Sequence, residues 1–163
     1  MLNFTELYNR FPEEIRTSLE NQMQNPKWHP EGSVYNHIKL VFEDVQEMYP
    51  DDTDLALVAL FHDLGKIDTS TIKEKDGNKF IISYNHEYFA SKYIDKYIHL
   101  FNDLNPNVER IKSICLQHMK AHLYVNGKIK KKYKLELFEN DKYFNDVLKF
   151  EKADSNRQGN DTE

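Results

Sequence analysis

Seven consecutive apolar residues, Leu55 to Phe61 in LALVALF, run straight into His62, Asp63, Leu64, Gly65 and Lys66. A helix made of such a run has to lie in a core, because it has no polar face to turn to water. A core helix has no use for three ionisable side chains in five residues at its end. The apolar half therefore anchors the helix, and the His62–Asp63 end is expected at the core's rim. Lys66 stands at i+4 from His62, so a continuing helix would carry it to the same mouth.

Helix-period patterns dominate the rest of the sequence, and glycine and proline, five of each, are scarce. An N-terminal helical region is predicted over residues 4–24, broken by NPKWHPEGS. A helix over 33–48 follows, with Ser33 as N-cap, and Asp52 or Thr53 caps the Leu55 helix. TSTIKEKDGNKFIIS reads as a β-hairpin with Asp76-Gly77 at its turn. Further helices are predicted over 86–101, 107–122, 132–139 and 141–154, with a second hairpin around Asn126-Gly127. The expectation is a mostly α domain with one or two small hairpins. No internal repeat or low-complexity block interrupts it.

A chain of 163 residues is expected to form one domain with a real core. No run is long and apolar enough to span a bilayer. MLNFTELYNRFPEEIR lacks a signal-peptide pattern, and the sole cysteine, Cys115, rules out an internal disulfide. A reduced, cytoplasmic domain fits these features. The net charge of −5 argues against broad electrostatic capture of nucleic acid, though not against a small anionic substrate. Lys128, Lys130, Lys131, Lys132 and Lys134 read as a solvated hairpin and helix start.

Helical neighbours at i+3, i+4 and i+7 share a face. His37 lines up with Val34 and Val41, and His62 with Leu55, Val58 and Ala59. His86 lines up with Phe89, Ala90 and Tyr93, His118 with Ile111, Ile114 and Cys115, and Asp154 with Val147 and Phe150. Asp63 adds a second acid. His99 shares its face with Lys92, Asp95 and Lys96, and serves as an internal control. A buried carboxylate needs a cation or strong hydrogen bonds, and these stripes offer the two acids no arginine. A metal would satisfy the whole set. Imidazole with carboxylate suits Mn, Fe, Co, Ni or Zn better than Mg. Six candidate ligands permit two ions bridged by one carboxylate.

The order His37, His62-Asp63, Asp154, carried by FHDLGK and KADSNR, resembles the HD superfamily of metal-dependent phosphohydrolases. WHPEGSVYNHIKLV is similar to the HD domain of bacterial CCA-adding tRNA nucleotidyltransferases. NHEYFAS and CLQHM match regions that bear extra histidines in more elaborate members. The similarity covers about residues 28–157, leaving 1–27 as an N-terminal helical extension and 158–163 as a polar tail.

The resemblance implies an all-α, HD-domain helical bundle and hydrolysis of a phosphate ester of a nucleotide or RNA end. The nucleotidyltransferase-type domains imply 2′,3′-cyclic phosphodiesterase and phosphatase activity; CCA addition is not expected, since the sequence shows no trace of a nucleotidyltransferase head. His37, His62, Asp63 and Asp154 would hold the principal ion. His86 and His118 would hold a second ion or contact substrate phosphate, and Asp63 would bridge if there are two. Asp63 would also orient or deprotonate the attacking water, with Lys66 and Arg157 binding phosphate oxygens. His29 and His122 are pocket-edge or packing residues, and Trp28, Tyr35 and Tyr84 are core aromatics or base-stacking candidates. The alternatives are a 5′-nucleotidase-type phosphatase and, in another class, a non-catalytic nucleotide- or metal-sensing module. On the enzyme reading, Asp63→Ala should abolish metal binding with little change in fold, and His99→Ala should do neither.

Overall fold

The computed structural model describes residues 1–24, 26, 29 and 31–156. The apolar run forms helix α4 (Thr53–Phe61), and every residue from Leu55 to Phe61 is fully buried. Asp52 caps it by accepting from the Leu55 backbone N–H at 3.1 Å. Three longer helices surround it: α3 (Val34–Met48), α6 (His86–Tyr97) and α7 (Val108–Val125). Helix α9 (Phe144–Ser155) closes the bundle against α3 and α7. Each fully buried Leu or Phe contributes about 1.5–3 kcal/mol, so α4 is the element on which the others are organised.

The N-terminal helical region splits into α1 (Phe4–Tyr8) and α2 (Glu13–Asn21). Pro12 is the reason, because it disfavours helical backbone in the residue before it. The break packs Phe11 against both Phe61 and Phe101, at ring separations of 5.3 and 5.7 Å. Ser33 caps α3 as predicted, accepting from Asn36 N–H at 3.1 Å.

The first hairpin forms as read: β1 (Ser70–Lys75) pairs antiparallel with β2 (Asn78–Ser83). Asp76 and Gly77 both take positive φ, the requirement of a tight two-residue turn. The second hairpin does not form. Asn126-Gly127 instead ends α7: Gly127 is left-handed at φ 66°, and Lys128 N–H reaches back to the Leu123 carbonyl at 2.8 Å. The same dipeptide serves a hairpin or a helix C-terminus, and here no strand follows to pair. Helix α8 (Lys132–Glu139) comes next, and the five lysines from Lys128 to Lys134 are exposed. The helix predicted over 86–101 is α6 followed by a 3-10 segment, Ile98–Leu104. No helix among the described residues is long and apolar enough to cross a membrane.

Helix α4 stops at Phe61 rather than running on to Ile67. The chain tightens into i→i+3 turns, with Leu64 N–H to Phe61 O at 3.1 Å, Lys66 to Asp63 at 3.0 Å and Ile67 to Leu64 at 3.1 Å. A four-residue helix, α5 (Lys66–Thr69), follows. Gly65 makes this turn possible through space rather than through φ, which is −61°. A Cβ there would stand 2.0 Å from the His86 carbonyl oxygen and 3.0 Å from Phe89 Cβ. Gly65→Ala is therefore expected to push the start of α6 away and lower stability by about 1–3 kcal/mol. A thermal melt checks the loss, and an unchanged midpoint would mean the close approach is not needed.

Candidate metal centre

Four helices and one turn bring the six candidate ligands together. His37 comes from α3, His62 and Asp63 from the turn after α4, His86 from the start of α6, His118 from α7 and Asp154 from α9. All six are buried, His62 completely, so the His-Asp end lies inside the core rather than at its rim. His99, the control, is exposed.

Each histidine spends its Nδ1–H on an acceptor. His62 donates to the Ala59 carbonyl at 2.9 Å, His86 to Ser83 at 3.0 Å and His118 to Cys115 at 2.6 Å. His37 donates to Glu31 Oε1 at 2.7 Å. A carbonyl or carboxylate can only accept, so all four rings have Nε2 left to bind with.

Those four Nε2 atoms converge on two carboxylates. His37 Nε2 is 2.9 Å from Asp154 Oδ1 and 3.4 Å from Asp63 Oδ2. His62 Nε2 is 3.3 Å from Asp63 Oδ2, 3.4 Å from Asp154 Oδ1 and 3.4 Å from His37 Nε2. Ligand atoms around one ion with bonds of about 2.0–2.1 Å stand about 2.9–3.4 Å apart. A second group shares Asp63 through its other oxygen: Oδ1 lies 3.1 Å from His86 Nε2 and 3.5 Å from His118 Nε2, and those nitrogens are 3.1 Å apart. Asp63 Oδ2 is buried with no hydrogen bond, although nitrogens surround it. An oxygen approached by several nitrogens without hydrogen-bond geometry fits a shared cation better than it fits a hydrogen-bond network. The two groups, His37-His62-Asp154 and Asp63-His86-His118, could each hold a metal ion.

The electrostatics favour a cation too. Burial pulls His62 down, but the charges of Asp63 and Asp154 together outweigh it and push its pKa up to about 10. Burial likewise opposes ionisation of Asp63 and Asp154, yet the His62 charge, aided by Lys66 or His37, holds both well below the usual carboxylate range. His118 is lowered by burial, which the Asp63 hydrogen bond only partly offsets.

Lys66 reaches the centre by a different route from the one its spacing suggests. The helix has ended, and Lys66 comes back over the turn to sit 3.2 Å from Asp63 Oδ2. Its ammonium also donates to Gln24 Oε1. Sequence reasoning missed Gln24 because it lies in the loop after α2, outside any periodic stripe.

Glu31 was missed for the same reason. Its Oε1 also meets His29 Nδ1 at 3.3 Å, and its side chain is 6% exposed. Burial would raise Glu31, but hydrogen bonds with His29 and His37 outweigh it and bring it down to about 2. The glutamate in HPEG, six residues before His37, was the available signal. Carboxylates that orient a ligand histidine are worth about 10–100-fold in metal affinity. Glu31→Ala is expected to lose that factor, while Glu31→Gln, which keeps an oxygen acceptor, loses less. Titration calorimetry with Mn checks it, and equal affinities in all three proteins would remove the orienting role.

Tyr35 packs against Tyr8 and Phe4, at 4.9 and 5.9 Å, so it is a core aromatic and not a base platform. Tyr84 is exposed. His122 pairs with Glu151. Trp28 and Arg157 lie outside the described residues.

Comparison with known proteins adds the family. No curated protein matches the sequence. Residues 33–146 match the model of the HD domain. That span contains His37, His62, Asp63, His86 and His118, and it ends before Asp154, which α9 brings to the same cluster. With most of its length matched, and with a buried histidine–aspartate cluster at the matched motif, the chain belongs to the HD domain family.

Proposed function

We propose that the chain is a metal-dependent phosphohydrolase acting on a phosphate ester of a nucleotide or RNA end, as a 2′,3′-cyclic phosphodiesterase, a phosphatase or both. One observation carries this reading: four histidines commit Nδ1 to fixed acceptors and turn Nε2 onto two buried carboxylates. Family membership supports a metal-dependent hydrolase. The HPEG stretch, whose Glu31 orients His37, supports the likeness to the HD domains of CCA-adding enzymes, and with it the nucleotide substrate. The sole, buried Cys115 fits a reducing cytoplasmic setting.

His37, His62, Asp63 and Asp154 would hold the principal divalent ion, with Mn, Fe, Co, Ni or Zn favoured over Mg by the nitrogen content. His86 and His118 would hold a second ion with Asp63, or meet substrate phosphate. Such an ion supplies a Lewis acid that polarises a phosphoryl oxygen and lowers the pKa of bound water towards about 7. Asp63, within reach of both groups, would orient or deprotonate the attacking water. Lys66, paired with Asp63, would offer its ammonium to a bound phosphate.

The test is elemental analysis of the purified chain, with hydrolysis of 2′,3′-cyclic AMP and 5′-AMP under added Mn, Co, Ni or Mg. Metal uptake with turnover of the cyclic ester supports the phosphodiesterase reading. Turnover of 5′-AMP alone selects the 5′-nucleotidase alternative. A folded protein that takes up metal and turns over neither ester points to the sensing module.

A further inference from the structure

We propose that His122, held by Glu151, is the proton donor to the leaving-group oxygen in hydrolysis at this centre. The inference rests on the phosphohydrolase reading. Helix α7 carries His118 and, one turn on and on the same face, His122. Helix α9 carries Asp154 and, three residues earlier, Glu151. The two side chains meet across the α7–α9 contact, Nδ1 to Oε1 at 3.3 Å. The carboxylate is inside, 8% exposed, and the imidazole outside, 19% exposed. A dyad thus sits one turn from a ligand on each of two helices.

The chemistry of hydrolysis leaves a role for it. A sugar-hydroxyl leaving group departs poorly as an alkoxide and needs a proton. The four clustered histidines have Nδ1 bound to acceptors and Nε2 turned to Asp63 or Asp154. Lys66 is engaged by Asp63 and Gln24. His122 differs: its Nδ1–H goes to Glu151, and its Nε2 makes no hydrogen bond among the described residues. Glu151 fixes the ring and stabilises its charged form, and the more distant Asp154 adds to this against the cost of burial.

The step balances with water alone. The attacking water's oxygen bonds to phosphorus while the bond from phosphorus to the leaving oxygen breaks. The leaving oxygen takes the proton from His122 Nε2, and the proton lost by the water returns to His122 through solvent. Nothing is oxidised or reduced.

The test compares the Mn-loaded full chain with His122→Gln and Glu151→Gln on paired esters. Bis-p-nitrophenyl phosphate or p-nitrophenyl phosphate releases a phenolate that needs no proton; 2′,3′-cyclic AMP or 5′-AMP releases a sugar hydroxyl. His122→Gln is expected to lose about 10²–10⁴-fold in kcat on the nucleotide and little on the nitrophenyl ester, with Mn content unchanged. Glu151→Gln should lose less, with the same selectivity, and it carries the test if His122→Gln does not fold. Equal losses on both esters would make the dyad a packing pair and overturn the proposal. A wild type that binds Mn and hydrolyses none of the four esters removes the phosphohydrolase reading, and this role with it.

Discussion

Asp63→Asn is expected to strip both ligand groups at once. Asp63 offers Oδ2 to the His37–His62–Asp154 side and Oδ1 to the His86–His118 side. An amide presents one oxygen without full charge, so the His86–His118 side loses its only carboxylate and the His37–His62 side is left with Asp154 alone. The loss of metal affinity should exceed the about 10–100-fold that outer-shell partners are worth, and hydrolysis should fall with metal content. Elemental analysis and turnover on the same samples check this, with His99→Ala as the unaffected control. Retention of near-stoichiometric metal by Asp63→Asn would refute the shared-carboxylate geometry.

The choice of Asn over Ala follows from Lys66. The sequence suggested that Asp63→Ala would leave the fold nearly untouched. In the structure, Asp63 is the charged partner of a buried lysine and lies beside four buried imidazoles. Alanine would leave the Lys66 ammonium with Gln24 alone, and removing one partner of a buried pair costs about 3–5 kcal/mol. Asparagine keeps a dipole at the ammonium and limits that penalty. An Asp63→Ala protein that had lost its metal could simply have lost its fold.

The inward histidines were legible because helical periodicity projects directly onto burial. His37, His62, His118 and Asp154 each share a stripe with residues that the fold buries, His86 does so with Ala90 and Tyr93 although Phe89 on the same stripe is exposed, and His99, on a charged stripe, is exposed. Features set by loops were not legible. Glu31 and Gln24 reach the centre from the segment between α2 and α3, where no period relates position to direction. The path of Lys66 was misread because the chain tightens after Phe61. The tightened turn brings Gly65 up against the His86 carbonyl, a contact between residues far apart in sequence. Asn126-Gly127 was misread because its chemistry suits two structures and only tertiary pairing chooses between them.

Metal and protons should compete openly at this centre. In the metal-free protein, Asp63 and Asp154 push His62 up to about 10 against the opposing effect of burial, so near neutrality the cluster holds a proton where an ion would sit. Binding must release it. Apparent affinity should therefore rise about tenfold per pH unit for each proton displaced, about 10²-fold from pH 6 to 8 for one proton. Stability follows with a definite sign. The folded pKa of His62 lies above the unfolded value of about 6.5, so its contribution is complete below about pH 6.5 and is lost as pH rises towards 10. Asp63 and Asp154, depressed on folding, contribute above about pH 4 and lose that contribution only as acid reaches their folded values. The metal-free midpoint should thus fall between pH 6 and 8, while the Mn-loaded midpoint, whose ligands no longer need the proton, should hold or rise. Calorimetric melts with and without Mn at pH 6, 7 and 8 measure the gap, and titrations in two buffers of different ionisation enthalpy count the protons. A gap that stays constant, with no protons released, would mean that the buried imidazoles are already neutral and that the carboxylates are balanced by Lys66 rather than by a proton awaiting exchange.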